Sequence, residues 1–448
     1  MPNINMGDLW ALILMGGGGM LLWSLANKLA TASEAPFLRN VIAATVVLRA
    51  GWSFLQHNVL GQYYPTFGAD TIARFGEAQR LAQAWHEGLW VPQLPTTLAQ
   101  SHSLLINLKT ILLVYIFGPS PMLSEALTGT ANASICIAVY LICRHIKVTP
   151  LATRMSVLLN AFLPSLIFWS TQDLKDPILA VCGAWALLAM LKVSERWGRA
   201  QYVLLLAIMN AVALVYRPYV GILLIAGQVL AWAYTLRLPK STFGSMARVG
   251  IFLMLAPVAV YVGIREMKDT YGEGMSLEWA NEQFNVNRAG AVKSGLNGSE
   301  YEIPLTASSP AMAIVQLPIR VLLLILTPIP IFPGPVRRMM MFPEMWFVYL
   351  WVVPRFIKGV REAWRKNRQA LMAILLMVAP IIFAYALKTS VSGEAVRMRT
   401  QFLPELLIFA GIGHAVIQRE RIAAADVFKR KMLWMRQKQQ WDQEDVAP

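Results

Sequence analysis

Long apolar stretches alternate with short polar ones along the whole chain, and this pattern predicts membrane-spanning helices. An apolar run of about 20 residues crosses a hydrocarbon core of roughly 30 Å as a helix. Runs of this kind, or slightly shorter ones, occupy residues 6–26, 37–54, 122–143, 151–169, 178–191, 202–216, 219–236, 249–264, 339–353, 370–387 and 402–417. We therefore predict an all-α, polytopic transmembrane helix bundle with about eleven crossings.

Two further apolar runs are predicted not to cross the membrane. Residues 104–117 form a run that is short for a crossing. Residues 317–332 contain Pro318, Pro328 and Pro330, and a proline inside a helix removes a hydrogen bond and clashes with the preceding turn. We interpret both runs as re-entrant or interfacial segments.

The basic residues indicate how the bundle is oriented. Lys and Arg collect in residues 144–147, 192–199, 237–248, 355–368 and 419–438. Because cytoplasmic loops carry an excess of Lys and Arg, we expect all five segments on the cytoplasmic side and the N-terminus outside. This topology predicts one transmembrane domain, residues 1–417, and a basic cytoplasmic tail, residues 418–448. It leaves outside the loops 57–103, 171–177, 265–310 and 388–401.

Composition supports a membrane protein and excludes several other classes. Of the 448 residues, 56% are hydrophobic and only 15% are charged, with a mean hydropathy of +0.49, so membrane lipids are expected partners. The net charge of +15 lies in short loops, which indicates topology rather than a nucleic-acid partner. The three cysteines lie inside apolar runs without metal-ligand spacing. They indicate neither a disulfide framework nor a zinc site.

The first outer loop carries an acidic residue at the start of a predicted helix. Apolar residues recur at helical spacing between Ile72 and Trp85. This predicts an amphipathic helix on the outer membrane surface that ends at Gly88. Asp70 stands at its start. The side chain is either a helix cap, worth about 1 kcal/mol, or a catalytic group, and the two roles are compatible.

Residues 171–177 place three charges between two apolar runs, where ionisable groups mark polar cavities or substrate paths. On a helical turn Asp173 and Asp176 share one face while Lys175 points elsewhere. One interpretation is a cation for a phosphate, with carboxylates that hold it or bind a metal. The alternative is that both carboxylates cap the span that begins at Pro177. A divalent metal ion is left open as a cofactor.

Three arginines complete the candidate site. Arg217 lies in a corner too short to be a solvated loop, where it either binds a phosphate or extends toward lipid headgroups. Arg397 and Arg399 lie in an outer loop, against the positive-inside tendency. Their predicted counterion is Glu394 or the phosphate of a ligand.

The order of these features resembles a known family. An outer loop with an early Asp70 and an amphipathic helix is followed by a short run ending Phe-Gly-Pro-Ser at residues 117–120, and by a span ending at Arg144 and His145. Residues 163–170 then read Leu-Pro-Ser-Leu-Ile-Phe-Trp-Ser. This resembles the polytopic GT-C glycosyltransferases, especially their bacterial protein-mannosyltransferase-like branch. The resemblance covers roughly residues 37–244, with a weaker echo at 397–404.

The resemblance implies a function. Such enzymes transfer a sugar from a polyprenyl-phosphate-linked donor to an acceptor glycan, lipid or protein on the outer face, here of the bacterial inner (plasma) membrane, for envelope glycan or glycoconjugate synthesis. Asp70 matches the family's base toward the acceptor hydroxyl, and the donor phosphate would meet Lys175, Arg217 and Arg397 or Arg399. Two features depart from the family: Asp70 stands alone where many members carry two adjacent acidic residues, and no large soluble C-terminal domain follows.

Two other function classes stay open. A polysaccharide polymerase or ligase of lipid-linked oligosaccharides would depend on the outer arginines more than on Asp70. A transporter or flippase of lipid-linked sugars is expected to contain repeated halves, and the two halves of this chain show no such similarity by inspection. A scaffold subunit of an envelope assembly is a further alternative, which the outer charges disfavour.

Overall fold

The structure, a computed structural model, describes residues 5–60, 69–88, 104–195, 200–235, 309–331, 339, 341–389 and 391–444. Its described part is all-helical, with 88% of the described residues in helices. The all-α part of the predicted fold class is therefore confirmed, whereas the number of about eleven crossings stays a prediction. The predicted span 249–264, nearly all of the outer loop 265–310 and parts of the loop 57–103 lie outside the described residues.

Eighteen helices are described, and we number them in chain order. They are α1 Met6–Leu29, α2 Ala35–Leu55, α3 Ala69–His86, α4 Leu104–Phe117, α5 Met122–Ala133, α6 Ile135–His145, α7 Pro150–Phe162, α8 Pro164–Ser170, α9 Lys175–Glu195, α10 Ala200–Tyr216, α11 Pro218–Thr235, α12 Pro310–Val315, α13 Leu317–Leu326, α14 Phe342–Phe347, α15 Val353–Lys366, α16 Arg368–Lys388, α17 Ser392–Arg399 and α18 Leu403–Glu444. Short π-helical turns, Gln56–Leu60 and Val348–Val352, follow α2 and α14.

Several of these helices can cross a membrane. Among the described residues, five are long and apolar enough, namely Met6–Leu29, Met122–His145, Lys175–Ser194, Pro218–Thr235 and Arg368–Lys388. Two bent pairs raise the number to seven if each is one span: α7 with α8, bent by 52°, and α17 with α18, bent by 74°. These helices support an integral membrane protein.

The bend between α7 and α8 follows from one proline. Pro164 lacks a backbone N–H, and its ring disfavours helical dihedrals at the preceding residue. Leu163 accordingly adopts an extended conformation, with ψ of 121°. The predicted single span 151–169 is therefore two helices, and α8 carries the chain at an angle to the turn at residues 171–174.

Side-chain contacts show that several predicted cytoplasmic segments lie at one end of the bundle. The amide of Asn367, between α15 and α16, donates to the carbonyl of Ile146 at 3.1 Å. Gln369 donates to the carbonyl of Thr235, the last residue of α11, at 2.9 Å. We call this the basic end, because the segments 144–147 and 355–368 meet there. The turn at residues 171–174 lies at the opposite end.

The predicted amphipathic helix is present, but its apolar face is buried in the protein. Helix α3 packs Ala78, Ala82 and Trp85 against Ile111 and Val114 of α4. The apolar face of its last turns therefore packs against α4, and the location of the helix on the outer membrane surface stays a prediction. The predicted end is confirmed, since Gly88 follows α3 with a φ of +83°, a conformation that favours glycine.

The two short apolar runs form short helices. Helix α4 has 14 residues and α13 has 10, which at 1.5 Å per residue correspond to roughly 21 Å and 15 Å. Both lengths are below the roughly 30 Å of a hydrocarbon core. The lengths are those expected of the predicted re-entrant or interfacial segments.

Candidate functional site

The turn between α8 and α9 is buried although it is rich in polar residues. Thr171, Gln172, Asp173 and Leu174 are all 3% exposed or less. The side chains of Gln172 and Gln56 bond to each other, with Gln172 Nε2 donating to Gln56 Oε1 at 2.7 Å. A buried polar turn is stable only when its groups are hydrogen-bonded. The neighbouring side chains should therefore supply hydrogen-bond partners for its polar groups.

Asp173 lies at the centre of the first polar network. Lys109 Nζ donates to its Oδ1 and Thr110 Oγ1 to its Oδ2, each at 2.8 Å. Lys109 also contacts Thr128 at 3.0 Å, and Thr110 contacts Ser124 at 3.2 Å. Burial by itself raises the pKa of Asp173, but the Lys109 ammonium and these hydrogen bonds lower it below its ordinary value. This network joins α4 and α5 to the turn.

Asp176, the second residue of α9, lies at the centre of another network and is fully buried. Arg217 Nη1 donates to its Oδ1 at 2.9 Å, and Arg397 Nε donates to its Oδ2 at 2.5 Å. Gln401 Nε2 also donates to Oδ1, at 2.5 Å, and its Oε1 accepts from the Tyr385 hydroxyl at 2.7 Å. We call these five residues the Asp176 cluster. Arginines from two distant parts of the chain thus meet on one carboxylate.

The two carboxylates do not share a helical face, as the sequence had suggested. The reason is local: residues 171–174 form a turn, and α9 begins only at Lys175. Asp173 therefore bonds to α4, whereas Asp176 faces the arginines. Lys175, the first residue of α9, is partly exposed.

Arg399 belongs elsewhere. It is 2% exposed, and its Nη1 donates to the carbonyls of Ile325 at 3.0 Å and Thr327 at 2.6 Å. These carbonyls lie at the C-terminus of α13, where a helix leaves acceptors without partners inside the helix. The described contacts of Arg399 therefore stabilise a helix end and do not place it in the Asp176 cluster.

Asp70 is located only at the level of the backbone. It is the second residue of α3, and its side chain lies outside the described residues. Helix α3 packs on α4, the helix that supplies Lys109 and Thr110 to Asp173. The predicted base is thus on a helix next to the first network.

A paired histidine was missed by the sequence reasoning. His57 Nε2 lies 2.8 Å from Glu125 Oε1, and Ser53 donates to the other oxygen of Glu125. Glu125 is fully buried, whereas the His57 side chain is 13% exposed. Burial lowers the pKa of His57, but the Glu125 carboxylate raises it above its ordinary value. The available signal was Glu125, a charge inside the apolar run 122–143.

Arg49 was missed for a similar reason. It is a single charge inside the apolar run 37–54, and in the structure it is 2% exposed. Its Nε donates to Ser170 Oγ at 2.8 Å. Arg49 lines a small cavity just below the turn, together with Asn132, Asn160, Ser170 and Thr400.

The residues present give limited support for a metal. Within the described ranges, no three His, Cys, Asp or Glu side chains lie close enough together to hold a metal ion.

Comparisons with protein-family models, with curated proteins and with solved structures gave no match. The chemistry of the site follows from its own residues. Its most prominent groups are guanidiniums held in place by a buried carboxylate, an arrangement suited to an anion.

Proposed function

We propose that this chain is a membrane glycosyltransferase that moves a sugar from a polyprenyl-phosphate-linked donor to an acceptor on the outer face. The observation that carries the proposal is the way Arg217 is held. Asp176 and Tyr385 both contact its Nη1, whereas Nε and Nη2 donate to no group in the described part of the chain. The Arg217 side chain is 11% exposed. It therefore presents donors in a fixed direction at the edge of the bundle.

A fixed guanidinium suits the chemistry of this donor. When the sugar leaves, negative charge builds up on the phosphate of the lipid carrier, and donors already in position stabilise that charge without rearranging. Arg397, 19% exposed, contacts the same Asp176 and would act beside Arg217. Burial lowers the pKa of Arg217, but the Asp176 carboxylate raises it well above its ordinary value. The group is charged at any working pH.

The acceptor hydroxyl requires a base, and we assign this role to Asp70 on the resemblance described above. The packing of α3 on α4 supports the assignment, because α4 carries Lys109 and Thr110, which donate hydrogen bonds to Asp173. Lys175, which precedes Asp176, is assigned to the donor phosphate. Arg399 is left out of this proposal because its described contacts are with backbone carbonyls.

The proposed orientation places this site outside the cytoplasm of a bacterial inner membrane. Eleven crossings, about as many as the apolar runs predict, would put all five basic segments inside. The contacts of Asn367 and Gln369 at the basic end support this arrangement. Labelling of single cysteines placed at residues 146 and 217 in intact cells tests it. An impermeant reagent should reach position 217 and not 146, and equal labelling would contradict the topology.

The activity is tested by sugar transfer from a labelled polyprenyl-phosphate donor in vesicles that contain the full chain. Arg217→Gln should lower the rate by about 10²- to 10³-fold, the usual effect of removing one preorganised donor. Asp70→Asn should abolish transfer without loss of folded protein. Arg154→Gln is the matched control: Arg154 pairs with Glu34 near the basic end, so its loss should leave the rate unchanged. Full transfer by Arg217→Gln would refute the proposal.

A polymerase or ligase of lipid-linked oligosaccharides is the second candidate. It is favoured by the same observation, since two arginines, Arg217 and Arg397, meet on Asp176 in this cluster. The two candidates differ in the effect of Asp70→Asn. Retained activity in that variant, together with loss in Arg217→Gln, would favour the polymerase or ligase.

A further inference from the structure

Arg49 is a buried cation whose described partners are all neutral. It lies on α2 and is 2% exposed. Its hydrogen bonds go to neutral groups: Nε donates to Ser170 Oγ at 2.8 Å, and Nη1 donates to Thr45, both to its carbonyl at 3.3 Å and to its hydroxyl. In the part of the chain that the structure describes, no carboxylate pairs with Arg49. Buried charges in proteins are normally paired.

Arg49 also lines a small cavity. This cavity lies below the turn, and Nη2 of Arg49 donates to no described group. Asn132, which also lines the cavity, donates to the carbonyl of Pro177 at 3.0 Å. Pro177 belongs to the first turn of α9, so the start of this helix borders the cavity. Ser170 and Thr400 add hydroxyl groups to the wall. The cavity wall therefore combines these polar groups with the apolar residues Ile135, Leu166, Pro177 and Pro404, and its one charged residue is the cationic Arg49.

The size of the cavity restricts its occupant. It has room for roughly one water-sized group. A phosphate or a carboxylate is larger than this space, and a monatomic halide, although slightly larger than a water molecule, is the common anion that comes nearest to its size. A water molecule would also fit, and would serve Asn160 Oδ1, a buried oxygen without a partner in the described residues. Water alone, however, does not neutralise a charge buried in a membrane helix, where ionised side chains are costly.

We propose that Arg49 holds a chloride ion in this cavity, as a structural anion that neutralises the guanidinium. The ion would accept from Nη2 of Arg49 on α2, in a cavity that Ser170 of α8 and Pro177 of α9 also line. It would thereby stabilise the base on which the turn at residues 171–174 rests. This site is separate from the Asp176 cluster, and the proposal does not depend on glycosyl transfer.

The test compares the purified full-length chain in chloride and in gluconate, an anion too large for the cavity, at equal ionic strength. Binding to the folded state alone raises stability with the logarithm of the chloride concentration above the Kd. We expect the melting temperature to rise by about 2 °C or more at saturation. Bromide should act like chloride. In Arg49→Gln the rise should be lost.

Two further measurements keep the test decisive. Arg320→Gln is the matched control, because Arg320 is a fully buried arginine that donates to the carbonyl of Leu387 and to Gln316, and its chloride response should persist. If Arg49→Gln does not fold, equilibrium binding of radioactive chloride to the wild-type chain decides, with about one bromide-competable ion expected per chain. Equal melting temperatures in chloride and gluconate, or no saturable chloride binding, would mean that the cavity holds water only and would overturn the proposal.

Discussion

Replacing Asp176 by Asn should weaken the fold as well as the proposed site. The carboxylate is fully buried and accepts from Arg217 at 2.9 Å, from Arg397 at 2.5 Å and from Gln401 at 2.5 Å. Asparagine keeps the size of the side chain but removes its charge. It also turns one acceptor into a donor that faces other donors. Two guanidiniums would then lie close together without their common counterion.

The magnitude follows from burial. Removing one partner of a buried charge pair costs about 3–5 kcal/mol, mainly because the other charge is left without compensation. Arg217 and Arg397 are 11% and 19% exposed, so water screens them in part. We therefore expect the lower limit, about 3 kcal/mol. With an unfolding entropy of about 2.1 cal/mol/K per residue, that loss lowers the melting temperature of a chain of this size by about 3 °C.

A double-mutant cycle on the purified chain measures this coupling. Arg397→Gln in the Asp176→Asn background should recover part of the lost stability, because it removes one of the two cations left without a partner. Glu34→Gln, which breaks the exposed pair with Arg154, is the control and should change the melting temperature little. A loss below about 1 kcal/mol for Asp176→Asn would refute the reasoning, since it would mean that the arginines are solvated rather than held.

Two further predictions concern other contacts. The His57–Glu125 pair raises the pKa of His57 above 6.5, so its stabilisation is complete below the unfolded pKa and is lost as the pH rises through the folded one. The stability difference between wild type and His57→Gln should therefore shrink from pH 6 to pH 9, and parallel pH profiles would contradict this. A Cβ at Gly359 would overlap the Phe409 carbonyl, so Gly359→Ala should lower the melting temperature by about 1–3 °C. Gly51→Ala, in a helix with nothing within 4 Å, should leave it unchanged or raise it, and equal effects would refute the packing argument.

Most helices were predictable because lipid imposes a simple rule. A chain in a hydrocarbon core must satisfy its backbone groups within each helix and present apolar side chains, and both demands are visible in single runs of sequence. Helices α1, α11 and α16 accordingly coincide with predicted spans to within a few residues. Pro164 was visible in the sequence too, but the predicted span was set by the length of the apolar run, which does not reveal a bend at a proline inside it.

The candidate site was predictable only where its charges stand out. Asp173, Asp176, Arg217 and Arg397 are conspicuous in an apolar chain, and the structure brings the last three together. Arg49 and Glu125 are single charges inside long apolar runs, and their partners lie 121 and 68 residues away in the chain, at Ser170 and His57. Run length alone cannot indicate such partners.

Arg397 and Arg399 are two residues apart, and this spacing predicts opposite directions for their side chains if the segment is helical. Residues two apart on a helix point in directions about 200° apart, because each residue advances by about 100°. Once residues 392–399 form α17, the two side chains cannot serve the same ligand. Arg397 turns toward Asp176, and Arg399 turns toward the end of α13. Spacing alone therefore indicated that only one of the two arginines could meet a given ligand, whereas the choice of which arginine meets Asp176 required the packed bundle.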